Sequence, residues 1–385
     1  MLAARLGVAT NATRTVVAPY RICPLGAHID HQLGPVTAMA IDRGVRVAFV
    51  PADDDRVRLT SVHFPGEVAF SLSDPPARPS GQWGDYAAGA AHALRSKYRL
   101  RRGLAGVTEG SISGGGLSSS AAIGVALLLA LEEVNGLAIS PEENIRLDQA
   151  IENGFLGLKN GVLDQAAILL SRKRHLTRIN CETLEHECIA APSGAAPFDI
   201  LIAQSGITQS LVGTDYNRRV DECAAAAEAL AQATGRTLAR SALGAFTAEE
   251  YDAHRPSLCG PPARRAEHFF TEVARVEAGT AAWREGNIAR FGRLVSESGR
   301  SSIVNYECGS PPLIDLYELL IAAEGVYGAR FSGAGFRGCC LALTDPAASV
   351  AIAEEVVRQY RAKHPGLADN AQTVLCQSDD GARLM

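Results

Sequence analysis

Gly114-Gly115-Gly116-Leu117-Ser118-Ser119-Ser120-Ala121-Ala122 is the stretch on which the reading of this 385-residue chain turns. Ahead of it, Ala105 to Ile112 reads as a strand. Beyond it, Ser118 to Val134 is rich in Ala and Leu and reads as a helix that Asn135-Gly136 ends. Glycines let a backbone approach an anion closely. The first amides of a helix have no internal partners and point outward with the dipole behind them. The serines add hydroxyl donors and one hydroxyl ligand for a metal. In form this is a phosphate cradle, yet no Gly-Lys-Ser/Thr follows, so it is not a Walker P-loop. Taken alone, the stretch also suits a capped helix after a flexible turn.

Working outward, three further segments carry chemistry. Ala18 to His31, with Arg21, His28, Asp30 and His31, packs charge into a turn-rich stretch between predicted strands. Asn160-Gly161-Val162-Leu163-Asp164-Gln165 sets a carboxylate one turn into an otherwise apolar helix, where the dipole favours it. Ser332-Gly333-Ala334-Gly335-Phe336-Arg337-Gly338 matches Gly-x-Gly-x-x-Gly, but Cys339 to Thr344 reads as a strand. A dinucleotide fold needs a helix there, so a strand-turn-strand hairpin lining a phosphate site is the better reading.

Composition is that of an ordinary globular chain, 47% hydrophobic and 21% charged, with a net charge of −5. Nothing resembles a basic nucleic-acid footprint. The longest apolar run, Ala121 to Leu131, is too short to span a bilayer, and Met1 to Val8 holds no long apolar core of a secretory signal. Nine scattered cysteines without a Cys-x-x-Cys pair read as reduced thiols of a cytoplasmic enzyme, with no zinc site. The length predicts two domains. Turn-rich Ala190 to Pro197 marks the expected boundary, giving 1–193 and 194–385.

Short strands are expected at Thr15–Ala18, Val36–Ile41, Val45–Val50, Val57–Val62 and Val68–Leu72, then a helix from Trp83 to Tyr98. Ser140-Pro141-Glu142-Glu143 opens a helix running to about Leu156. A strand at Phe198–Ala203, helices over Tyr216–Leu230 and Arg264–Arg300, paired strands at Val326–Ser332 and Gly338–Thr344, and a helix over Ala347–Tyr360 complete an α+β chain in two lobes.

Together and in this order, the four segments resemble the GHMP small-molecule kinases, and within them the galactokinase branch. Ala18 to Asp30 follows that branch's A-P-G-R-x-N-x-I-G-E-H-x-D motif, Gly161 to Gln165 its G-I-M-D-Q, and Gly333 to Cys339 its last glycine-rich motif. The resemblance implies an N-terminal mixed β/α lobe, a C-terminal ferredoxin-like α+β lobe, and an active site in the cleft between them. It implies ATP and Mg2+, with a small sugar as the other substrate and no nucleic acid or membrane partner. Asp164 would take the proton of the anomeric hydroxyl, with Arg21 beside it. Ser120 and Glu152 would hold Mg2+, and Gly114 to Ser120 with Trp83 would hold ATP. His28, Asp30, Gly161 and Tyr216 would position the sugar.

The departures bear on which sugar. Ala27 stands where the branch has a Glu at the sugar's C6 oxygen, and Arg337 replaces a glycine. A C6 carboxylate would repel that Glu: two unit charges at ~4 Å cost roughly 4 kcal/mol at an effective dielectric of about 20. The variant loop and the ending Gly335 to Cys340 resemble the galacturonokinases, which implies galacturonate as acceptor. Arg337 and the added His31 would suit the extra carboxylate. Plain galactose phosphorylation, or a sugar sensor on the same fold, are the rivals.

Overall fold

Apolar runs broken by Gly, Asp and Pro fold the first half of the chain into a sheet, and helices cover it. The computed structural model describes residues 12–112, 115–207, 215–336 and 338–385. Strands β1 (Arg14–Ile22), β2 (Pro35–Pro51), β3 (Arg56–Ser61) and β4 (Glu67–Ser71) lead into α1 (Asp85–Arg95) and β5 (Leu104–Gly110). Next come α2 (Ser119–Asn135), α3 (Pro141–Gln149), a π-helical turn at Ala150–Phe155, and α4 (Leu163–Leu170). A hairpin of β6 (His175–Asn180) and β7 (His186–Ala190) follows.

The second half holds β8 (Asp199–Ser205), α5 (Tyr216–Thr234), α6 (Ala248–His254), α7 (Gly260–Arg284), α8 (Ile288–Val304) and α9 (Pro311–Ala322). It continues with β9 (Val326–Phe331), β10 (Cys339–Thr344), α10 (Ser349–Lys363) and β11 (Ala371–Cys376). Two short strands, β12 (Ser378–Asp379) and β13 (Arg383–Leu384), come last.

Two sheets result. The first runs β13-β1-β2-β5-β3-β4, with β6 and β12 also on the long β2, and among the described residues only β3 and β5 pair in parallel. The second is antiparallel in the order β11-β8-β10-β9. That is strand order 4-1-3-2 for a chain running β8, helices, β9, β10, α10, β11, which is the ferredoxin-like arrangement expected. Its apolar core joins Leu201, Ala203, Leu316, Phe331 and Tyr360. The first sheet's core joins Ile41, Phe49, Leu59 and the α2 residues Val125, Leu128 and Leu131. α2 is apolar on every side because it is sealed between β1, β2 and the neighbouring helices.

Four local expectations need correcting. β1 continues past Ala18 to Ile22, so Arg21 lies in a strand rather than a loop. β2 is one strand, not two. Its register against β1 jumps from Pro19–Gly44 to Tyr20–Ile41, so the turn-like Asp42-Arg43 is a bulge. Gly44 is needed there, since a Cβ would stand 2.3 Å from the Ala18 carbonyl. The span Arg264–Arg300 is two helices, parted at Gly286 (φ 71°), with the Asn287 side chain capping α8 at the Arg290 amide. The helix expected to reach Leu156 gives way to the π turn after Gln149.

Candidate active site

A cleft of about 1240 Å³ opens between the two sheets, and the end of β1 delivers Arg21 to it. Arg21 is 3% exposed. Its Nε and Nη2 donate to Asp164 Oδ1 at 2.8 and 2.7 Å, and its Nη1 donates to the Gly116 carbonyl at 3.3 Å. Asp164 sits in the first turn of α4, where unpaired amides favour a carboxylate. Burial works against the guanidinium's charge, but the Asp164 carboxylate outweighs it and the pKa of Arg21 is raised.

The serine loop lies beside this pair. Gly116 adopts φ 97°, and a Cβ there would stand 3.0 Å from the Cys339 amide. Ser118, at φ 57°, precedes α2 without capping it through its side chain, and its buried hydroxyl has no partner among the described residues. Gly115, Gly116, Ser118, Ser119 and Ser120 line the cleft, while Leu117 is buried beneath it. Gly114 lies outside the described residues. The second lobe closes on this loop from the other side. Ser332 Oγ donates to the Gly116 carbonyl at 2.6 Å, and Gly333 and Gly338 press backbone to backbone on Gly116 and Gly115. The Gly-x-Gly-x-x-Gly segment is thus the β9–β10 hairpin, as expected. Its glycines at 333 and 338 are the price of that close approach.

Ser120 lies within hydrogen-bonding range of Glu152, which is buried in the π turn and also accepts from Asn160 Nδ2. Glu152 Oε1 has no hydrogen-bond partner among the described residues, and burial, then Asp164, pushes the group up to about 7. At the outer end of the cleft Trp83 and Phe64 set their rings 6.4 Å apart and nearly parallel, 17° between planes.

At the inner end the segment Gly26 to Gln32 is fastened to the second lobe. Glu272 Oε1 accepts from the Gly26 amide at 2.7 Å, and His268 Nε2 lies 3.0 Å from the Ala27 carbonyl. Ala27, His28, Asp30 and Tyr216 all line the cleft. His28 (φ 65°) stacks on Tyr306 with ring centres 4.2 Å apart, its Nε2 3.6 Å from Cys308 Sγ. Gly161 sits under Asp30, where a Cβ would stand 2.3 Å from Oδ2. Asp30 Oδ2 also accepts from the Leu163 amide at 3.4 Å. Burial and then Asp164 raise Asp30 to about 6.

Burial also drives His28 well below its ordinary range, His31 to about 3 and His268 to about 4. The expectation that His31 would suit an added carboxylate is corrected, since His31 does not line the cleft. It is neutral, buried, and bonded to Tyr306 Oη and Gln32. Arg337 lies outside the described residues.

Sequence reasoning passed over Glu272, His268 and Cys308, and noted Tyr306 only within Asn305-Tyr306-Glu307 as a resemblance to a family segment; all four brace the inner loop from the second lobe across more than 240 residues. Charged residues inside an apolar helical face were the available signal for Glu272, since Val276 and Gly279 share its buried side.

Comparison with known proteins agrees with this geometry. Residues 85–172 match the GHMP kinases N terminal domain and residues 280–362 the GHMP kinases C terminal domain. The chain is 48% identical to galacturonokinase of Arabidopsis thaliana, over 97% of this chain and 93% of that protein. It is 32% identical to galactokinase of Roseiflexus sp. (strain RS-1), over 95% and 91%. The crystal structure of Lactococcus lactis galactokinase complexed with galactose superposes with a TM-score of 0.90 at 27% identity, covering 99% of this chain and 97% of that one. Matched along nearly its whole length at that level of identity, the chain belongs to the GHMP kinase family, among its galactokinase-like sugar kinases.

Proposed function

We propose that this enzyme transfers the γ-phosphoryl group of ATP to the anomeric hydroxyl of D-galacturonate, giving galacturonate 1-phosphate and ADP. The observation that carries the chemistry is the Arg21–Asp164 pair beside the serine loop. Both arginine nitrogens take Oδ1, which leaves Oδ2 to accept the proton of the attacking hydroxyl. The oxygen's lone pair forms the new bond to phosphorus as the bond to the β-phosphate oxygen breaks. Arg21 orients the carboxylate through its two bonds and faces the charge that moves onto the transferring group.

Ser120 and Glu152 fit Mg2+. They offer hard oxygen donors, and the unpartnered Glu152 Oε1 is a ligand without a task in the protein alone. Among the described residues no three His, Cys, Asp or Glu side chains form a cage of their own, so nucleotide phosphates would complete the shell. Bound there, Mg2+ would neutralise charge on the β- and γ-phosphates. Trp83 and Phe64 offer planar faces for the base, and His28, Asp30 and Tyr216 offer polar atoms to the sugar. Gly161 would act by letting Asp30 sit close.

What supports a uronate is charge. Ala27 leaves no carboxylate at that point of the cleft wall, and the guanidiniums of Arg21 and Arg330 both act on His28 and Cys23. Arg337, between Phe336 and Gly338 in the sequence, is a further cation that would suit a carboxylate. We assign residues 1–193 to the first lobe and 194–385 to the second, except that β12 and β13 return to the first sheet, and the cytoplasm as location on the nine free thiols.

The test is ADP release with ATP and either galacturonate or galactose. Higher kcat/KM with galacturonate is expected, and equal or better use of galactose would end the uronate assignment. Binding of both ligands without turnover would favour a sensor. Ala27→Glu should shift preference toward galactose.

A further inference from the structure

Behind the serine loop, the interface of α2 and α3 holds more buried carboxylate than the roles above employ. Asp148, in the last turn of α3, is fully buried, and neither of its oxygens has a hydrogen-bond partner among the described residues. Its Oδ1 lies against Gly124 of α2, where a Cβ would stand 2.1 Å away. Gly124 is one helical turn beyond Ser120, and Asp148 is one turn before Glu152. Residues four apart share a helix face, so Ser120 meets Glu152 and, one turn deeper, Gly124 meets Asp148.

Two acids with unpartnered oxygens among the described residues therefore neighbour each other here, Asp148 through both oxygens and Glu152 through Oε1, with the Tyr86 side chain beside them. Like-charge repulsion links Asp148, Glu152 and Asp164. Arg21 is already committed to Asp164. A sealed carboxylate needs a cation or hydrogen-bond donors. Here α2 supplies neither; it supplies a glycine, which makes room. Room kept for an acid that no hydrogen-bond donor among the described residues holds points to a positive group from outside.

Resting on the reading of Ser120 and Glu152 as the cation's ligands, we propose that Asp148 is a further protein group of that site, a carboxylate that holds the divalent cation through its bound water. Mg2+ gives up its waters reluctantly and commonly keeps several, so a carboxylate one turn back is well placed to take one. Asp148 is on this view a positioning residue. It sets where the cation stands and touches neither sugar nor nucleotide.

Titrating Mn2+ into the protein with the non-hydrolysable analogue AMPPNP, and reading free Mn2+ by electron paramagnetic resonance, tests this without sugar or turnover. Asp148→Asn should weaken Mn2+ roughly tenfold or more, the usual result of losing an outer partner of a metal site. Affinity for AMPPNP without divalent cation should be unchanged. Glu132→Gln is the control. Glu132 is another buried acid of the same interface, three turns beyond Ser120 and held by Asn144, and its loss should leave Mn2+ affinity alone. Unchanged Mn2+ affinity in Asp148→Asn, or an equal loss in Glu132→Gln, would overturn the proposal. Asp148→Ser is carried in parallel in case the asparagine variant does not fold. Loss of Mn2+ in Glu152→Gln but not in the Asp148 variants sinks this inference and spares the Ser120–Glu152 reading. No Mn2+ binding by the unaltered protein with AMPPNP would sink both.

Discussion

Imidazoles are buried at one end of the cleft and carboxylates at the other, and burial moves the two in opposite directions. Behind the inner loop, His28, His31 and His268 are pushed down into their neutral forms. Behind the serine loop, Glu152 is pushed up to about 7 and Asp148 well above the usual carboxylate range. The difference teaches what each end is for. At the inner end the imidazoles are neutral, and the charge behind them is the Glu272 carboxylate matched by Arg275 and Arg330. The serine end holds acids whose ionisation burial opposes and an arriving cation would favour. Arg21 and Asp164 stand where the two meet, and there the charge is fixed by a direct ion pair.

The junction should give the largest effect. Asp164→Asn keeps the shape but removes the proton acceptor, so kcat should fall roughly 10³-fold while both Michaelis constants change little. ADP release with saturating sugar and ATP measures it, and a fall of less than tenfold would displace Asp164 as base.

Next comes the brace of the inner end. Glu272 is fully buried. Burial works to raise its pKa, but Arg275, His268 and Arg330 overcome this and hold it at about 2. Glu272→Gln leaves Arg275 and Arg330 without their carboxylate and should cost about 3 kcal/mol in urea unfolding, as other broken buried pairs do. It should raise KM for the sugar and leave Mn2+ affinity untouched. A change in Mn2+ affinity would show that the two ends are not independent.

The smallest effect separates the ends by pH. A histidine neutral in the fold takes up a proton on unfolding, so stability is present above about pH 6.5 and is lost as pH falls toward the folded value. For His268 that value is about 4. Glu152 runs the other way, since the fold keeps a proton that the unfolded chain releases above about pH 4.3. His268→Gln can keep both contacts, to the Ala27 carbonyl and to Ser301 Oγ. It should remove ~1.4 kcal/mol per pH unit from the slope of stability between about pH 6 and 5. An unchanged slope in urea unfolding would mean that His268 is already protonated in the fold.

The parts of this arrangement that were legible in the sequence are those made by neighbours in the chain. Gly116, the serines and the apolar helix after them are contiguous, so their geometry follows from local backbone rules. The hairpin over Gly333 to Gly338 was legible because Cys339 to Thr344 alternates too little for anything but a buried strand. What stayed hidden was set at a distance. Arg21 lies in a strand because β2 bulges at Asp42-Arg43 and lets β1 continue, which no window around Arg21 reveals. The bracing of Ala27 by His268 and of Gly26 by Glu272 joins elements far apart in sequence. Hairpin β6–β7, helix α9 and strands β11 to β13 were passed over because each is short and takes its stability from partners already in place.

The closing strands β12 and β13 carry a consequence for synthesis. Ser378 and Asp379 pair with Ile41 and Ala40, and Arg383 and Leu384 with Val17 and Val16. A ribosome releases those residues long after the rest of the first sheet has emerged. Until then β1 presents an open edge within reach of other nascent chains, so the first lobe is completed by strands that follow the whole second lobe in sequence.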